Sequence, residues 1–74
     1  MWIRSQDKRS LTKVINISLD IPLSSGEVGI KGYFDNNKFD MLGYYRNEER
    51  AIEVMTKIEN SLILNEKVFD MPEE

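Results

Sequence analysis

A chain of 74 residues with neither cysteine nor histidine has room for one small domain. It cannot form disulfides, thiolate or imidazole zinc sites, haem ligation through cysteine or histidine, or a Ser-His or Cys-His nucleophilic relay. The formal charge of −3, from 10 Lys and Arg against 13 Asp and Glu, argues against duplex nucleic-acid binding, which needs clustered cations to neutralise phosphates.

A core of this size is only marginally stable alone, so self-association is the main remaining source of burial, and a homo-oligomer is expected. The charge is unevenly spread. Residues 1–13 carry Arg4, Lys8, Arg9 and Lys13 against Asp7, whereas residues 48–74 carry eight acids against Arg50, Lys57 and Lys67. A basic end could meet an acidic end of a neighbouring copy, or the asymmetry is ordinary surface variation. The opening Met1-Trp2-Ile3-Arg4 turns polar at once and no apolar run reaches transmembrane length, so no membrane partner and a cytoplasmic location are expected.

In chain order, residues 2–5 read as a short strand and residues 6–10 as a polar turn. Over residues 11–21, Ile15, Ile17, Leu19 and Ile21 alternate with Asn16, Ser18 and Asp20, the period of a strand with one buried face; Lys13 interrupts the inward row. Pro22 with Ser24, Ser25 and Gly26 marks a loop. Residues 27–34 form the next strand, Val28, Ile30 and Phe34 sharing a face, and Gly32 marking a bulge or close approach. Asp35, Asn36, Asn37 and Lys38 have hairpin chemistry, because asparagine tolerates positive φ. The chain returns over residues 39–45, where Gly43 again suggests a bulge.

Asn47 is a helix N-cap, and Glu48 and Glu49 put negative charge where the helix dipole favours it. Ala51, Val54, Met55, Ile58 and Leu62 form one stripe at helical spacing. Ile52 and Ile63 lie together on a second apolar flank, which suits a partner; fraying or the C-terminal segment would also account for Ile63. Asn65 and Glu66 end the helix. Residues 67–71 are extended, either an edge strand or an arm that pairs with another subunit. The expected fold is therefore α+β: a single domain over 1–74 with a four-stranded antiparallel N-terminal sheet, one helix across one face, and a short C-terminal strand or arm. Ile15, Ile17, Leu19, Val28, Ile30, Ala51, Met55, Ile58 and Leu62 are expected in its core.

Arg46 and Arg50 stand four apart at the helix start, just after Tyr44 and Tyr45. Guanidinium groups beside aromatic rings can hold a phosphate and stack on a base, and a helix N-terminus adds free N–H donors. With Arg4 they make the candidate ligand site, Arg4, Tyr44, Tyr45, Arg46 and Arg50; the competing reading has one tyrosine in the core and the arginines solvated or paired. Trp2 shares a face with Arg4, in the core or at an interface. Glu48, Glu49, Glu53 and Glu59 are either a nucleic-acid mimic or solvated helix charges. Met55 belongs to the core stripe, while Met41 and Met71 could serve an adaptable surface. No spacing singles out a carboxylate pair for acid–base work and no Asp/Asn/Gly loop suggests a metal. No enzyme activity, cofactor or metal is expected.

Three segments, MWIRSQDKRSL at 1–11, LGYYRNEERAIEVMTKIENSL at 42–62 and VFDMPEE at 68–74, resemble a family of short proteins of Gram-positive phages, prophages and other mobile elements. That family opens near Trp-Ile-Arg-Ser, ends a strand on Leu-Gly-x-Tyr, carries a Glu-Arg-Ala-x-x-Val helix and closes on Val-Phe/Tyr-x-Met-Pro. The resemblance covers about half the chain and implies a mobile-element setting. More loosely, the layout is similar to phage anti-defence sponge proteins, including those opposing Thoeris immunity, which hold a nucleotide signal without cleaving it in pockets between subunits. The expectation is a non-enzymatic accessory protein that sequesters a small anionic nucleotide signal. The alternative is a regulator that binds a host protein through the acidic helix face or the edge strand at 67–71.

Overall fold

The computed structural model describes residues 1–21 and 26–74; the loop expected at Pro22, Ser24 and Ser25 lies outside the described residues. The elements are β1 (Trp2–Arg4), β2 (Leu11–Lys13), β3 (Asn16–Asp20), β4 (Val28–Asp35), β5 (Lys38–Tyr45), α1 (Glu48–Ile63) and β6 (Val68–Asp70). They make an α+β fold with two three-stranded sheets, ordered β2-β1-β6 and β3-β4-β5, in place of the single four-stranded sheet expected.

The difference arises in the segment read as one strand over residues 11–21. Its backbone changes partners between consecutive residues: the Val14 amide donates to Met1 O at 3.0 Å, and the Ile15 amide to Tyr33 O at 2.8 Å. Residues before the switch therefore pair with β1, and residues after it with β4. Burial changes phase at the same place. Thr12 is buried in β2, Ile15 is 67% exposed, and Ile17 and Leu19 are half-buried in β3. Ile15 is thus a surface residue, contrary to the alternation. The Thr12 hydroxyl donates to Asp40 Oδ2 at 2.8 Å, tying the smaller sheet to β5.

β6 lies parallel to β1, with Ile3 opposite Phe69 and Arg4 opposite Asp70. The C-terminal segment therefore completes the chain's own sheet, and Met71 beyond it is buried in the core. The β4–β5 hairpin closes on Asn36 and Asn37 as expected, but neither asparagine adopts positive φ. Instead the Asp35 carboxylate accepts the Asn36 amide at 2.8 Å, and a register shift between Tyr33 and Asp35 absorbs the twist. A second shift matches Ile30 with Gly43 and Lys31 with Met41, leaving Leu42 as the extra residue, fully buried. Gly32 is a close approach: a Cβ there would meet Leu42 Cδ1 and Val14 Cγ1, each at 2.8 Å.

The helix starts where the sequence places it, the Asn47 side chain accepting the Arg50 amide at 2.8 Å. Its end is a Schellman turn: Asn65, at φ 59°, donates to Leu62 O, and Glu66 donates to Ser61 O. Ala51, Val54, Ile58 and Ser61 face the core. Met55 is only half-buried and Leu62 is 56% exposed, so the helix is rolled away from the expected Met55–Leu62 side. Ser61 fits into the buried row because its hydroxyl donates to Glu66 Oε1 at 2.6 Å.

Candidate functional site

The end of β5 and the start of α1 are held by main-chain geometry that places Tyr44 and Tyr45 on opposite faces of a strand. Tyr45 points inward and is 2% exposed. Its hydroxyl donates to Pro72 O at 2.9 Å, and burial pushes its pKa up to about 12 against the opposing pull of the Arg50 cation. Tyr45 offers no ring face to a ligand. Tyr44 points outward, about half exposed, with its ring lying over Gly29, where an added Cβ would come within 3.2 Å of it.

Arg50 is turned back on its own chain. Its Nε and Nη2 donate to the Glu74 main-chain oxygen at 2.9 and 2.6 Å, and its Nη1 lies 3.6 Å from Glu53 Oε1. Arg4 stands on the outer face of β1, 3.8 Å from the exposed Asp70 carboxylate. Arg46 is exposed and takes part in no ion pair among the described residues. Of the five expected ligand residues, the fold brings Tyr45 and Arg50 to the C-terminal segment as structural groups. Tyr44 and Arg46 remain available beside the helix start, and Arg4 belongs to the other sheet.

Compared with known proteins, the chain matches no family model, no curated protein and no solved structure.

Three of the exposed surfaces among the described residues bear on function. The outer side of α1 forms a shallow trough of about 610 Å³ in which Glu48, Glu49, Glu53, Thr56 and Lys57 surround Ile52. Between α1 and β3 runs an apolar groove of about 400 Å³, lined by Ile17, Met55, Ile58 and Leu62 and rimmed by Ile52, Thr56 and Glu59. On the outer side of the smaller sheet, Trp2, Leu11, Lys13, Ile15, Phe34 and Asp40 border a third hollow of about 550 Å³. Trp2 belongs to this outer face and not to the core.

Gln6 has a part that sequence reading left as a polar turn. Its amide copies a neighbouring strand: Tyr44 N donates to Gln6 Oε1 at 2.8 Å, Gln6 Nε2 donates to Tyr44 O at 2.9 Å and to Glu73 O at 2.8 Å. The Gln6 amide nitrogen of the main chain also donates to Leu42 O at 2.7 Å. One side chain thereby caps the outer edge of β5 at Tyr44 and fastens the C-terminal segment. The nearby Asp7 carboxylate accepts from the Ser5 hydroxyl at 2.6 Å and from the Arg9 amide at 3.0 Å, which holds its pKa below the ordinary value. No local pattern signals these roles, because both partners of Gln6 are distant in sequence.

Proposed function

We propose that the chain is a non-enzymatic accessory protein, of the mobile-element kind its sequence resembles, that works by binding a basic protein surface through the outer side of α1. The observation that carries this reading is the trough on that helix. Three carboxylates, Glu48, Glu49 and Glu53, ring the half-exposed Ile52, with Lys57 the only cation among the lining residues. An apolar anchor inside a predominantly acidic rim is the pattern by which a protein interface gains affinity from its centre and selectivity from its edge. In a host cell the protein would act in the cytoplasm as a homo-oligomer.

Sequestration of a small anionic signal is the second reading. Tyr44 and Arg46 support it, exposed beside the amide groups that open α1. It ranks second because Arg50 and Tyr45 are engaged internally and the adjoining Glu48 and Glu49 repel an anion.

One paired experiment separates the two. The protein is incubated with a panel of cyclic and linear nucleotides, and bound ligand is recovered after heat denaturation. In parallel, wild type, Ile52→Glu and Glu49→Lys/Glu53→Lys are compared for their effect on host defence in cells. Loss of the cellular effect in both helix variants, without nucleotide recovery, supports the protein-binding reading. Recovery of an unaltered nucleotide, lost on Arg46→Ala, replaces it with sequestration. Conversion of a nucleotide to product overturns the non-enzymatic assignment.

A further inference from the structure

The sheet edges are unequally protected. β5 is covered at Leu42 and Tyr44 by Gln6 and tied at Asp40 to Thr12, while β2 and β6 are three residues each. β3 is five residues long, pairs only with β4 among the described residues, and carries a single charge, Asp20, at its far end. It has none of the usual guards of an open edge: no proline, no inward charge, no bulge. Directly beside it runs the apolar groove against α1, where Leu62 is 56% exposed. An unguarded edge alongside an apolar trench is the arrangement expected of an interface.

The strand is complementary to itself. In an antiparallel pair about a two-fold axis at Ser18, Asn16 faces Asp20 of the second copy and Ile17 faces its Leu19. The lone carboxylate meets an amide instead of a like charge. Centring the axis on Asp20 would set the two carboxylates opposite each other. Opposed residues in such a pair share a face of the sheet, so both helices come to the same side, where Ile17 lines the groove. An interface of ordinary size takes roughly 800 Å² from each partner, about a sixth of the 5171 Å² surface. A five-residue strand is too narrow to supply that alone, and the Met55–Leu62 flank of α1 must close over the seam.

We infer that β3 is the two-fold interface of a homodimer, joined edge to edge about Ser18 into a continuous six-stranded sheet, with the Met55 and Leu62 flanks of the two helices meeting above it. This deepens the homo-oligomer part of the proposed function and leaves the acidic outer side of α1 facing solvent.

The absence of cysteine makes the test direct. Residues paired across antiparallel strands have Cα atoms about 4.5–5.5 Å apart, within disulfide range. Ser18→Cys is expected to form a linked dimer on mild oxidation at least tenfold faster than Asn37→Cys at the exposed hairpin tip. An equal mixture of Asn16→Cys and Asp20→Cys is expected to link as the heterodimer in preference to either homodimer, which serves if Ser18→Cys does not fold. Sedimentation of the wild type at micromolar concentration should give twice the 8.7 kDa chain mass, and Leu62→Glu should return it to a folded monomer. A wild-type monomer overturns the homo-oligomer reading and the interface together. A dimer whose Ser18→Cys links no faster than Asn37→Cys overturns the β3 interface while leaving self-association in place.

Discussion

Replacing Tyr45 by phenylalanine removes one oxygen from the core and little else. The ring is 2% exposed, and its hydroxyl makes a 2.9 Å bond to Pro72 O that fastens the segment after β6 to the end of β5. Losing that bond, with the carbonyl partly rescued by water, should cost about 1–2 kcal/mol, or about 5–10 °C in Tm for a domain of this length. The effect should also depend on pH in a defined direction. The folded phenol titrates at about 12 against 10.0 for the free group, because burial penalises the phenolate. The folded state holds that proton more tightly, so the associated stability is complete below pH 10 and is lost as pH rises through 12. Two units correspond to at most about 2.7 kcal/mol; solvent screening around the hydroxyl reduces this to about 1–2 kcal/mol. Urea unfolding of both proteins at pH 7, 9 and 11, followed by circular dichroism at one fixed protein concentration, measures the gap directly. The wild type should lead at pH 7, and the lead should shrink above pH 10. A variant as stable as wild type at pH 7, or a gap at pH 11 as large as at pH 7, refutes the reasoning.

Three further outcomes follow from the same geometry. Gln6→Ala should lower stability by about 1–3 kcal/mol and speed amide exchange at Tyr44 at least tenfold, since its amide holds Tyr44 from both sides and Glu73 besides; unchanged exchange would show that the β5 edge does not depend on it. Gly32→Ala should cost about 1–3 kcal/mol in chemical denaturation, because the new methyl would press on the fully buried Leu42 and on Val14; a neutral result would mean those side chains repack freely. The Asp7 carboxyl, followed by NMR, should titrate below 3.8, with any stability it contributes present above the ordinary value and lost as pH falls through the folded one. Ser5→Ala should move that midpoint upward, and an unmoved midpoint would remove the Ser5 hydroxyl as the main cause.

The elements legible in the sequence are those whose causes lie within a few residues. The Asn47 cap, the Asn65 turn that stops the helix, and the two-residue hairpin at Asn36 and Asn37 each satisfy backbone groups from neighbouring positions, and each stands where the sequence puts it. The helical periodicity likewise places Ala51 and Ile58 in the core. Tertiary structure alone decided which strand each amide would find. Val14 and Ile15 are adjacent and chemically alike, yet one pairs toward β1 and the other toward β4, dividing the single strand expected over residues 11–21 between two sheets. The roll of α1 depended on the same kind of distant choice, since both flanks of its stripe are apolar and only the packed sheets select between them. The candidate ligand site divided for this reason too. Tyr44 and Tyr45 are the same residue type side by side, but strand alternation sends one outward and the other to Pro72, and Arg50 finds its acceptor 24 residues away at Glu74. A sequence pattern records which residues can be buried or paired; which partner satisfies each one is set by contacts between segments far apart in the chain.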